Sequence, residues 1–73
     1  MKKVLVLGAG LVARPLVRYL LEQPEIKLTI ASRTVSKAER LIENHPKGNA
    51  HQLNVEDESA LKSFMADADI VIS

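Results

Sequence analysis

The apolar run Val4 to Leu7 enters a tight glycine turn, Gly8-x-Gly10-x-x-Ala13, and leaves as a segment with helical spacing. No other feature constrains the fold as strongly. A strand that turns sharply into a helix leaves free backbone N–H groups at the helix N-terminus, aimed at one point in space. Gly8 permits the turn because it lacks a Cβ. Gly10 lets the backbone approach a ligand closely, and Ala13 replaces the glycine that usually allows close helix–strand packing. The N–H groups around Leu11 and Val12 then face an anion, assisted by the helix dipole. A pyrophosphate is the ligand such a turn suits. A βα connection that needs glycine but binds nothing carries the same residues.

The rest of the chain supplies matching units. Lys3 to Leu7 is almost wholly apolar, as in a parallel strand buried on both faces. Val12, Leu16, Val17, Leu20 and Leu21 follow helical spacing, with Pro15 near the start and Pro24 at the stop. Ile26 to Ala31 gives a second strand. Ser36-Lys37-Ala38-Glu39 fits a capping box, opening a helix that carries Ala38, Leu41 and Ile42 and breaks at His45-Pro46-Lys47-Gly48. Ala50 to Val55 reads as a third, more polar strand. Asp57 is the expected N-cap of a helix over 58–66, with Leu61, Phe64 and Met65 facing the core. Ala68 to Ser73 forms the fourth strand.

The pattern is βαβαβαβ, which predicts an α/β domain with a parallel sheet and right-handed crossovers. Strand order 3-2-1-4 follows from polarity: the apolar first and fourth strands lie side by side, and the polar third takes an edge. This is a partial Rossmann-type three-layer domain, since a complete one has roughly six strands. The 73 residues therefore read as the N-terminal portion of an NAD(P)-binding domain, with no room for a substrate domain. The fourth strand then has an exposed edge, which predicts homodimerisation through it.

The end of the second strand selects the cofactor. NAD-binding domains place an Asp or Glu there to accept hydrogen bonds from the adenosine ribose. This chain has Ala31, Ser32, Arg33 and Thr34 instead. Arg33 offers a permanent cation and a donor fork suited to phosphate, and Ser32 and Thr34 add hydroxyls beside it. Lys37 adds charge from the next helix. NADP is expected rather than NAD. The competing reading is a solvated loop arginine followed by a threonine cap. Asn54 and Val55, at the end of the third strand, are expected near the adenine, by an amide contact and a backbone contact respectively; a plain strand-end role fits them equally.

Net charge of +1 gives no case for nucleic acid or an acidic membrane surface. Cysteine is absent, which excludes disulfides and thiolate metal sites. No apolar run has transmembrane length, and glycines and arginines interrupt the leader-like start, so a cytoplasmic protein is expected. His45 reads as a solvated loop residue and His51 as an edge-strand residue, without the partners a metal or nucleophile site needs. Asp67 and Asp69 flank a turn. These residues contain no catalytic acid–base pair.

VLVLGAGLVARPLVRYL, LTIASRT, LNVEDESAL and ADIVIS together resemble the start of the saccharopine dehydrogenases, in particular the NADP-dependent, glutamate-forming type. Arg14-Pro15 directly after the glycine turn is the distinctive element. The resemblance implies that Gly8, Gly10, Leu11, Val12 and Ala13 form the pyrophosphate turn, and that Ser32, Arg33 and Thr34 form the 2′-phosphate site. It also implies an oxidoreductase that condenses 2-aminoadipate 6-semialdehyde with glutamate and reduces the imine with NADPH to saccharopine, in lysine metabolism. The amino-acid-derived substrate would be handled by sequence beyond this segment, which alone is expected to catalyse nothing. Two alternatives stay open: a related NADP enzyme such as a carboxynorspermidine dehydrogenase, or a nucleotide-sensing module without redox activity.

Overall fold

The computed structural model describes residues 1–8, 14–54 and 56–72. The order is β1 (Lys2–Leu7), α1 (Arg14–Glu22), β2 (Ile26–Ser32), α2 (Val35–Ile42), β3 (Gly48–Gln52), α3 (Glu58–Asp67) and β4 (Ile70–Ile72). The strands form one parallel sheet in the order β3-β2-β1-β4, as polarity predicts. Lys2 pairs with Ile26, Val4 with Ile70 and Leu28 with Gly48.

Alternation along the strands divides the core between two faces. Val4 and Val6 of β1 join Leu28 and Ile30 of β2 against Val17, Leu20 and Leu21 of α1 and Ala38 and Ile42 of α2. Leu28, Ile30, Val6 and Val17 are wholly buried there; each such side chain contributes about 1.5–3 kcal/mol relative to exposure. Leu5, Ala31 and Leu53 point the other way, against Leu61 and Phe64 of α3. That side is thinner, because α3 has no fully buried residue.

Several element boundaries differ from the sequence reading. The N-cap of α2 is Thr34, in extended conformation, and not Ser36. The Ser32 hydroxyl accepts the Thr34 N–H at 3.2 Å, which turns the chain into the helix two residues early. Helix α2 ends at Ile42, before the expected break, because Glu43 and Asn44 both adopt positive φ, 51° and 61°. Strand β3 covers Gly48–Gln52 rather than 50–55. Its register with β2 begins at Gly48, and Asn54 already belongs to a turn. Met65 is 45% exposed, not core; Ala60 and Ala68 share the inward stripe with Leu61 and Phe64.

The N-cap at Asp57 stands as expected, its carboxylate accepting the Ala60 N–H at 3.1 Å. Asp69 and Asp67 do more than flank a turn. Asp69 accepts the Lys3 N–H through its carboxylate and donates its own N–H to the Lys3 carbonyl, both at 2.8 Å. Asp67 pairs with the Lys3 ammonium at 3.1 Å. Together they fasten the start of β4 to β1. Ile70 and Val71 remain 45% and 37% exposed on β4.

Candidate dinucleotide-binding site

Parallel strands deliver their C-terminal ends to one edge of the sheet, where doubly wound domains bind ligands. Leu7-Gly8, Ser32 to Thr34 and Leu53-Asn54 meet there, across the register that pairs Leu7 with Ala31 and Ser32 with Gln52. Gly8 has φ +90°, a conformation that side chains rarely adopt, and a Cβ built on it meets nothing within 4 Å. Glycine is therefore required by the backbone, not by crowding. The Gly8 N–H donates to the Ala31 carbonyl at 2.8 Å. Gly10, Leu11, Val12, Ala13 and Val55 lie outside the described residues.

The end of β2 is held from both sides. The Leu53 N–H donates to the Ser32 carbonyl at 2.9 Å, and the Gln52 side-chain amide to the Arg33 carbonyl at 3.3 Å. Ser32 is the one buried polar side chain among the described residues, and its hydroxyl oxygen already accepts from Thr34. The hydroxyl proton stays available to an acceptor. Arg33 is exposed, and its guanidinium takes part in none of the salt bridges among the described residues.

The start of α2 adds to the positive field. Its first turn contains no acidic residue, and the Thr34 side chain makes no capping bond. Exposed helix N–H groups, the helix dipole, Arg33 and Lys37 thus act on one region without a neutralising carboxylate in the Ala31–Lys37 stretch. A 2′-phosphate fits this electrostatics; a bare ribose hydroxyl would lack the acceptor it normally finds.

Asn54 sits two residues past β3, with its Oδ1 accepting the Glu56 N–H at 3.0 Å and its carbonyl accepting the Asp57 N–H at 2.9 Å. That is an Asx turn, which leaves the amide NH2 as an unengaged side-chain donor for a ligand. Gln52 was not legible as a site residue. Its only sequence signal is a long amide opposite Ser32 in a parallel register.

Other polar groups stand apart. His45 Nδ1 accepts the Lys47 N–H at 3.2 Å within its own turn, and His51 packs on Phe64 with ring centroids 5.3 Å apart. No group of three or more His, Cys, Asp or Glu able to hold a metal occurs among the described residues. A hollow of about 200 Å³ lies on the α3 face near Lys3, Lys27, Thr29 and Asp67, and none of the candidate residues lines it. No described helix is long and apolar enough to cross a membrane.

Comparison with known proteins places this arrangement in context. Residues 4–73 match the family described as saccharopine dehydrogenase NADP binding domain. The chain is 42% identical over 73 residues to the NADP-dependent, L-glutamate-forming saccharopine dehydrogenase of Schizosaccharomyces pombe, covering 100% of the chain and 16% of that relative. It is 40% identical over 72 residues to an NADP-dependent shikimate dehydrogenase of Legionella pneumophila (strain Corby), covering 99% of the chain and 24% of that relative. Among solved structures, apo saccharopine dehydrogenase (L-Glu forming) from Saccharomyces cerevisiae superposes with a TM-score of 0.84 at 40% identity, over 97% of this chain and 16% of that one. The chain thus spans about a sixth of the length of these saccharopine dehydrogenases. With its sheet order, its glycine turn and the match along nearly its whole length, the chain belongs to the saccharopine dehydrogenase NADP-binding domain family.

Proposed function

We propose that residues 1–73 form the N-terminal portion of the NADP(H)-binding domain of a saccharopine dehydrogenase-like oxidoreductase. The observation that carries this reading is the end of β2: an exposed Arg33 beside an uncapped helix start, with no carboxylate in the stretch. Gly8, Gly10, Leu11, Val12 and Ala13 are assigned to the pyrophosphate. Ser32, Arg33 and Thr34 are assigned to the 2′-phosphate. Asn54 and Val55 are assigned to the adenine edge.

When bound, NADPH supplies a hydride for reducing an imine between glutamate and 2-aminoadipate 6-semialdehyde. This segment contributes binding and orientation. It would hold the phosphates and the adenosine, and so orient the nicotinamide end. No catalytic acid or base is assigned within it. We further read the protein as cytoplasmic, and the segment taken by itself as pairing with a second copy through the β4 edge, where Ile70 and Val71 are exposed.

The 40% identity to an NADP-dependent shikimate dehydrogenase favours a second reading, in which the cofactor is the same and the substrate is a hydroxy acid. Calorimetric titration of the intact protein with NADP and NAD, followed by turnover with saccharopine and with shikimate, separates these. NADP preference with saccharopine turnover is the expected result. Shikimate turnover would select the second reading, and binding without either turnover would point to a sensing module.

A further inference from the structure

We infer that Gln52 is a positioning residue for cofactor discrimination, acting through the Arg33 backbone; this rests on the proposed role of Arg33 at the 2′-phosphate. Three successive carbonyls at the end of β2 are each captured by a neighbour. Ala31 receives the Gly8 N–H, Ser32 the Leu53 N–H and Arg33 the Gln52 side-chain amide. The first two are backbone bonds that any sequence could make. The third depends on a side chain, and it is the one at the arginine itself.

The register explains the reach. Gln52 pairs with Ser32 and follows Ala50 on the face that packs toward the core under α2. Its side chain therefore projects on the side where the chain leaves β2 for α2. Just past Arg33, the Thr34 N–H is held by the Ser32 hydroxyl and the Thr34 carbonyl by the Lys37 N–H. Gln52 and Ser32 thus hold the two ends of one peptide unit, the one that follows Arg33, and the Leu53 N–H holds the carbonyl of the unit before it. A guanidinium reads a phosphate by a planar fork, so its value depends on where the backbone aims it. Gln52 is exposed and its amide is spent on the Arg33 carbonyl, so its loss should be felt at the 2′-phosphate.

The test is the ratio of NADP to NAD affinity in the intact protein, with Gln52→Met, Gln52→Asn and Arg33→Ala. Methionine keeps the length without the donor; asparagine keeps the amide but falls short. Both should weaken NADP about two- to fivefold, as expected for one exposed neutral hydrogen bond, and leave NAD unchanged. Gln52→Met should add nothing in the Arg33→Ala background. Equal losses for both cofactors, or no loss, would overturn the inference while Arg33→Ala still lowers the ratio. If Arg33→Ala leaves the ratio unchanged, the phosphate assignment itself fails and the inference with it.

Discussion

The Gly8 amide donates to the Ala31 carbonyl at 2.8 Å, tying the start of the glycine turn to the end of β2. This bond joins the two halves of the candidate site. The proposed pyrophosphate turn leaves from Gly8, and the proposed 2′-phosphate group begins at Ser32, one residue past Ala31. The spacing between the two phosphate positions is therefore set by sheet pairing between β1 and β2, the most extensive ladder in the fold. Rigid placement of this kind lets a dinucleotide be held with little ordering of the protein on binding.

Replacing Arg33 by Ala should weaken NADP about tenfold to a hundredfold, the range for a hydrogen-bonded charge, and leave NAD within about twofold. Ser32→Asp should go further, because it puts a carboxylate where an NAD-binding domain has one, and should favour NAD. Titration of each variant with both cofactors checks this. Parallel losses for the two cofactors would place the 2′-phosphate elsewhere.

The Gly8 position makes a different prediction. At φ +90° an alanine is strained by about 1–3 kcal/mol although its Cβ has open space. Gly8→Ala should lower stability by that amount in urea denaturation. Its effect on NADP and NAD should be equal, since the pyrophosphate is common to both. A selective loss of NADP would contradict the division of the site into two halves.

Most of this arrangement is legible in the sequence, and its errors have physical causes. The apolar runs of β1 and β2 and the Asp57 cap are strong local signals, and the polarity of β3 places it at the sheet edge. Ser36 and Glu39 satisfy a capping pattern that predicts a later start for α2, while the structure uses Ser32 to bend the chain before Thr34. Gly48 and Asn49 resemble turn residues, which predicts a later start for β3. Pairing with Leu28 and Thr29 draws them into the ladder. Arg33 is readable as a candidate from its place at the end of β2, where no acidic residue stands; the Gln52 bond to its carbonyl needs the register.

Glu43 joins two helices. Its carboxylate takes Arg14 of α1 at 2.7 Å and also Arg18, while its own backbone sits at φ 51° after α2. All three side chains are substantially exposed, so the ion pairs contribute no more than about 1 kcal/mol and are screened by salt. Glu43→Gln should destabilise by up to about 1 kcal/mol at low ionic strength, with the difference vanishing at high salt. Glu43→Gly should cost less than Glu43→Gln, because glycine relieves the left-handed conformation that the glutamate tolerates. Denaturation curves at two salt concentrations distinguish these contributions.

Gly48 is constrained by packing. A Cβ there would fall on the Ile42 side chain, whose Cγ1 would lie at 3.1 Å and whose other branch would be closer still. Ile42 is itself 6% exposed and belongs to the core under α1 and α2, so moving it disturbs that core. Gly48→Ala should therefore destabilise by about 1–3 kcal/mol, the usual range for overpacking. The same change made in an Ile42→Ala background should cost much less, since the clashing branch is gone and the space can be refilled. A double-mutant cycle measures this directly: a coupling of at least about 1 kcal/mol is expected, and strict additivity would show that the cost of a side chain at Gly48 comes from β3 itself.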